Sequence, residues 1–221
     1  MNKKEIEEVR NEAKILSSIT SEFIVKYYAS FLENNTLNIV MEYCESGDLS
    51  KYLSIKRNLV KILNEDLVWK YFIQISLGIG YLHAKKILHR DLKSMNIFLT
   101  KNNDVRIGDL GVAKVLSGTS LFAKTYIGTP YYLSPEICEE MPYNEKSDIW
   151  ALGVILYELA TFKHPFSANN QAALIMKILK GKYEPISKEY SNDLKIIIEL
   201  LLEKDYTIRP SVFDVLVNPS M

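Results

Sequence analysis

Cysteine, histidine and glycine are all scarce in this chain of 221 residues, which holds two, three and nine of them. Cys44 and Cys138 lie far apart and outside any metal-ligand spacing, so they read as free structural thiols in an ordinary reducing compartment. No glycine precedes Gly47, so no glycine-rich loop opens the chain. Neither sign of charge is in excess: 27 Lys and Arg balance 27 Asp and Glu. That balance excludes the global basic field of a nucleic-acid or anionic-membrane binder. No apolar run is long enough to span a bilayer, and the opening "MNKKEIEEVRNEAKIL" is charged and amphipathic, unlike a signal peptide. Internal repeats and low-complexity linkers are lacking too. The expectation is a cytoplasmic protein with no nucleic-acid or membrane partner; its oligomeric state is left open.

What the chain does contain is enough apolar residue, 48%, with 24% charged, to bury one sizeable core or two unequal lobes. Ile6, Val9, Ala13 and Leu16 recur at helical spacing and predict a surface helix over 4–17. "FIVKYYASFL" (23–32) and "TLNIVMEYC" (36–44), rich in β-branched and aromatic residues and parted by "ENN", predict a hairpin. Residues 65–84 predict a long helix, apolar on most faces and therefore buried. Further helices are expected over 146–161, 169–180 and 191–203, with a short last one from Pro210. The fold class is α+β: a small front part of one helix and a hairpin, residues 1–43, then a large, mainly helical part, residues 44–221.

The chemistry concentrates in "ILHRDLKSMNIFL" (87–99), where Asp91, Lys93 and Asn96 sit at fixed offsets between apolar flanks. Next come "DVRIGDLGVAK", with Asp109 in a D-L-G turn after an apolar strand, "IGTPYYLSPE" (127–136), "SDIWALGVILYEL" (147–159) and "RPS" (209–211). That order resembles the protein kinases over essentially the whole chain. "YYASF", "LNIVMEYCESGDL", "GTPYYLSPEIC" and "PYNEKSDIWALG" look like the NIMA-related (NEK) group.

The resemblance implies a protein-kinase-like fold with a partial small lobe and a complete, mainly helical large lobe. It also implies a serine/threonine kinase that uses ATP and Mg2+ to phosphorylate Ser or Thr hydroxyls of protein substrates. By it, Asp91 orients the hydroxyl and accepts its proton, Lys93 steadies the transferring phosphate, and Asn96 and Asp109 hold metal ions. Met41 falls at the back of the adenine site, Glu42 to Cys44 form the hinge, and Glu12 is the helix glutamate of the phosphate clamp. Asp48 reads equally as a ribose contact or a helix N-cap. Thr125 is the candidate phosphosite, clamped by Arg90 and Lys114, with Thr129 nearby in the same segment. Structural roles are expected for His83, His89, His164 and Trp150. Asp148 is expected to brace the backbone around Arg90, and Glu136 with Arg209 to form a buried pair. Leu16, Tyr27, His89 and Leu110 are expected to stack in one apolar column.

The residues present include no glycine-rich loop and no strand lysine to pair with Glu12, so the chain as given is expected to be a weak or inactive kinase. That raises a second expectation, that Met1 is internal to a longer chain with three more strands ahead of it. A non-catalytic kinase-like module that binds partners through its helical lobe stays open beside the enzyme. Cell-cycle, cytoskeletal, centrosomal or ciliary roles rest on the resemblance alone.

Overall fold

The structure is a computed structural model of the chain, and it describes residues 17–34, 36–110 and 130–217. The expected helix over 4–17 lies almost wholly outside them, as do Glu12, Leu16, Lys114, Thr125 and Thr129.

The predicted hairpin is present but shorter at both ends: β1 (Tyr27–Glu33) pairs antiparallel with β2 (Thr36–Met41). Asn34, in the turn, takes the left-handed conformation, φ +48°, that asparagine tolerates better than most side chains. Residues 23–25 were expected to open the first strand, and here the structure corrects the reading. They bond instead to a strand far along the chain: Val25 N donates to Ile107 O at 2.9 Å and Ile107 N to Phe23 O at 2.8 Å. Ile24 is thereby buried against the large part, a stronger draw on an apolar side chain than the half-exposed hairpin.

The large part begins with α1 (Leu49–Arg57), the helix that the N-cap reading of Asp48 allowed; Leu49 and Leu53 are buried in it, Tyr52 is partly buried and Ile55 is exposed. Then come α2 (Glu65–Ala84), a 3-10 turn (Ser94–Asn96) and the short antiparallel pair β3 (Ile97–Leu99) and β4 (Val105–Ile107). The remainder is helical: α3 (Pro135–Cys138), α4 (Glu145–Thr161), α5 (Gln171–Lys180), α6 (Asn192–Leu201) and α7 (Val212–Leu216). The bounds of α2 are those expected, and Asn64 caps it by accepting from Leu67 N. The last helix starts two residues later than Pro210. Ser211 and Asp214 cap each other's backbone N–H groups there, satisfying two donors where a proline satisfies none.

The core is centred on α4, which packs on α2 and α6. Every residue from Ser147 to Ala160 is buried. Gly153 makes the α4–α6 approach possible, since a Cβ there would sit 2.8 Å from Leu201 Cβ. On its other faces α2 touches α7 and β4, so β4 links the helical core to the segment feeding the hairpin. Among the described residues no helix is long and apolar enough to cross a membrane.

Candidate active site

Asp148, fully buried in α4, is the anchor. Its Oδ2 accepts from His83 Nε2 at 2.8 Å and His89 N at 3.0 Å, and its Oδ1 accepts from Arg90 N at 3.1 Å and from the Tyr143 hydroxyl. Burial pushes its carboxyl up, but the His83 bond, the other donors and the neighbouring histidines outweigh it, leaving the group below the usual carboxylate range. The carboxylate therefore holds the loop at 89–90 in place, as expected. Arg90 has φ +67°, a strained conformation for a side chain of that size, and the Asp148 bond to its N–H helps to fix it.

His89 carries the order onward. Asp91 N donates to His89 Nδ1 at 3.3 Å, so the ring proton sits on Nε2, which donates to Gly108 O at 3.2 Å. Complete burial lowers its pKa, in keeping with a neutral ring. Gly108 N in turn donates to Asn96 O at 2.9 Å. A Cβ on Gly108 would lie 2.6 Å from the Phe98 ring and 3.1 Å from Val25 Cγ2, so only glycine lets this crossing close so tightly. The next residue, Asp109, is exposed, with φ +49°.

Three of the four expected catalytic residues thus meet directly. Lys93 Nζ donates to Asp91 Oδ2 at 2.9 Å, and Asn96 Nδ2 donates to Asp91 O at 2.8 Å and to Asp91 Oδ2 at 3.3 Å. With its N–H group so used, Asn96 has its amide oxygen to offer. Asp109 is brought alongside through the Gly108 backbone. The possible ligands in this corner are oxygens, the donor type a hard divalent cation takes. No group of three or more His, Cys, Asp or Glu placed to hold a metal occurs among the described residues.

The expected hinge reaches the same platform from the other side. Leu99 N donates to Gly47 O at 2.8 Å and Ser46 N to Leu99 O at 3.1 Å, fastening 46–47 to β3. Asp48 is the N-cap of α1, its Oδ1 accepting from Lys51 N at 2.9 Å. Met41 ends β2 and is 47% exposed. Cys44 is buried, and burial first, then the Glu42 charge, push its thiol up to about 11.

Two arrangements escaped the sequence. Glu158, buried in α4, accepts from Tyr132 OH at 2.7 Å and Ser94 Oγ at 3.1 Å, tying the segment after residue 130 to the turn that bears Asn96. Burial raises its pKa above the usual value despite those two donors. His164 Nδ1 lies 3.9 Å from Glu158, but burial lowers the histidine's pKa, so the two are neighbours rather than an ion pair at neutral pH. The ring instead stacks on Tyr131 at 4.2 Å. The second arrangement is at Glu42, whose side chain meets Arg106 of β4. The alternation of β4 gave the only hint, since Val105 and Ile107 point inward and must turn Arg106 outward.

The expected Glu136–Arg209 pair is present and wholly buried, at 2.9 and 3.0 Å, with Arg209 also donating to Glu203 O, Lys146 O and Lys204 O. Of the expected column, His89 and Leu110 are buried, Tyr27 is half-buried with its hydroxyl donating to Ser30 Oγ at 2.7 Å, and Leu16 is outside the described residues.

Comparison with known proteins agrees with this geometry. The protein kinase domain family matches residues 1–221. The chain is 49% identical over 98% of its length to serine/threonine-protein kinase Nek1 of Mus musculus, covering 18% of that protein. It is 48% identical over 98% to Nek5 of Mus musculus, covering 34%, and 46% identical over 99% to the probable serine/threonine-protein kinase nek3 of Dictyostelium discoideum, covering 20%. The chain spans about a fifth to a third of the length of these relatives. It belongs to the protein kinase family, and within that family it is similar to the NIMA-related kinases.

Proposed function

We propose that this chain carries out the phosphate transfer of a NEK-type serine/threonine kinase, moving the γ-phosphoryl group of ATP to Ser or Thr hydroxyls of proteins. The observation that carries the reading is the Asp91–Lys93–Asn96 cluster, bonded side chain to side chain and fastened through Gly108 to Asp109. Phosphoryl transfer passes through a loose transition state, so the protein's work is mainly positioning and charge neutralisation. Asp91 would orient the substrate hydroxyl and take its proton. Lys93 holds a positive charge within reach of both Asp91 and an incoming phosphate. Asn96 and Asp109 would hold Mg2+, which when bound supplies neutralisation of the phosphate charge. The backbone of Glu42 to Cys44 would take the adenine edge. One Asp48 oxygen is used by the cap and, among the described residues, the other meets the exposed Lys51 ammonium at 3.5 Å, so a ribose contact is compatible with capping.

Thr125, phosphorylated and clamped by Arg90 and Lys114, would order the segment before Thr129. Glu12 would belong to the small-lobe phosphate clamp, with the division between lobes near residues 43 and 44. Both cysteines are free, which fits work in the cytoplasm.

The test is transfer from labelled ATP to a general Ser/Thr protein substrate by the purified protein. Asp91→Asn is expected to lower the rate by about 10²–10⁴ with Mg-ATP affinity largely kept. Asp109→Asn is expected to weaken magnesium-dependent nucleotide binding as well. Transfer by Asp91→Asn near the parent rate would sink the assignment.

A further inference from the structure

The hairpin meets the large part at two crossings: residues 23–26 entering β1, held by hydrogen bonds, and residues 42–44 leaving β2, where the chain itself passes over. Both are fastened to one short strand, β4. The first crossing uses the backbone, through the Val25–Ile107 and Ile107–Phe23 bonds at 2.9 and 2.8 Å. The second uses a side chain. Arg106 Nε donates to Glu42 Oε1 at 3.1 Å and Oε2 at 3.3 Å, across 64 residues of sequence. The two crossings are also tied to each other, Glu42 N donating to Lys26 O at 2.8 Å and Lys26 N to Glu42 Oε2 at 3.2 Å. One carboxylate therefore meets β4, the entry to β1 and its own exit from β2.

We infer that Glu42 and Arg106 are positioning residues that hold the hinge backbone at a fixed separation from Asp109, and so set the affinity for ATP. The inference rests on the kinase reading above. Arg106 stands three residues before Asp109 on a strand locked by β3, α2 and the Asn96–Gly108 bond, so its backbone is a fixed point, and its guanidinium is held in turn by the Val105 carbonyl at 3.0 Å. Glu42 begins the hinge and has no regular strand to hold it, since β2 ends at Met41. An adenine edge bound at 42–44 and phosphates bound near Asp109 belong to one molecule, so their sites must keep one spacing. The pair supplies that spacing before the nucleotide arrives, which removes an ordering cost from binding. Its two side chains are about one-fifth exposed, enough shelter to escape most salt screening. Neither side chain is needed by the transfer step itself. The signature is therefore a change in KM for ATP with little change in kcat, which a general loss of stability does not produce.

The experiment uses the purified protein, measuring KM for ATP and kcat of phosphate transfer, together with the Kd for Mg-ATP. Arg106→Gln is expected to raise KM and Kd at least about fivefold, the lower end of the coupling usual between two sites, with kcat within about twofold. Arg106→Lys, which keeps the charge without the forked geometry, is expected to fall between parent and Arg106→Gln. It also serves as the working variant should the glutamine form not fold. Exchanging the two residues, Glu42→Arg with Arg106→Glu, is expected to recover most of the affinity lost in either single exchange. An unchanged KM in Arg106→Gln and Arg106→Lys, with only a lowered unfolding temperature, would overturn the inference while leaving the kinase reading intact. A parent protein that neither binds Mg-ATP nor transfers phosphate would instead overturn the kinase reading, and this inference with it.

Discussion

From Ser147 to Ala160 not one residue of α4 is exposed, whereas the β1–β2 hairpin carries Tyr28, Phe31, Val40 and Met41 at 42% to 56% exposure. Both segments are rich in apolar residues. They differ in what surrounds them, and the chemistry-bearing residues divide along the same line. Asp148 of α4 holds His89 and Arg90, Glu158 of the same helix holds Ser94, and through them the turn bearing Asp91, Lys93 and Asn96 is set from the core. Among the described residues the hairpin reaches that turn less directly, through the contacts of its two ends with β4 and of residues 46–47 with β3. The large part thus sets the geometry of the candidate catalytic groups, and the hairpin's contribution is where it places residues 42–44.

The contrast can be broken most severely at α4. Asp148→Ala would leave buried donors on His83, His89, Arg90 and Tyr143 without their acceptor, and a loss of about 3–5 kcal/mol is expected in urea unfolding, with phosphate transfer abolished. A loss below about 1 kcal/mol would show that the anchor role is misassigned. Glu136→Gln is expected to cost somewhat less, about 3 kcal/mol, because the buried Arg209 guanidinium keeps its backbone carbonyl partners.

Acid should sharpen the contrast, because the sheltered histidines are on the large part. Burial lowers the pKa of both His89 and His164, whose ordinary value is 6.5. Below that value the unfolded chain takes up protons that the folded chain refuses, so stability present at neutral pH is lost as pH falls. Each site contributes a slope of at most about 1.4 kcal/mol per pH unit. The unfolding temperature is expected to drop steadily from pH 7 to pH 5. His164→Phe, which keeps the stack on Tyr131, is expected to flatten that drop. An equal pH dependence in the variant would exclude His164 as a source. Below the ordinary carboxylate value of 4.5, Glu136 adds a further loss of the same sign. Burial raises that carboxyl, but the Arg209 bonds and charge outweigh burial and leave it lowered.

The smallest effect belongs to the hairpin. Phe31→Ser removes a large apolar group that is already half in water, and the expected change is within about 0.5 kcal/mol. A loss above about 2 kcal/mol would mean that the ring is covered in solution, and the contrast between the two regions would fail.

The sequence by itself brought out the candidate groups for the chemistry and where most helices run. Asp91, Lys93 and Asn96 lie within six residues, so one turn was bound to bring them together, and the bounds of α2 followed from a long apolar pattern. The buried Glu136–Arg209 pair was legible through the kinase resemblance of its two motifs. Periodicity reports that a side chain is buried or exposed but never names its partner, and there the sequence stopped. Ile24 read as a strand residue, and only the fold showed that its strand is β4. Glu42 read as part of a hinge whose backbone matters, and only the fold set its carboxylate on Arg106. Ser94, Tyr132 and Glu158 carried no common signal at all. Each of these pairings closes a loop of tens of residues, and a contact at that separation is decided by how the helical core packs.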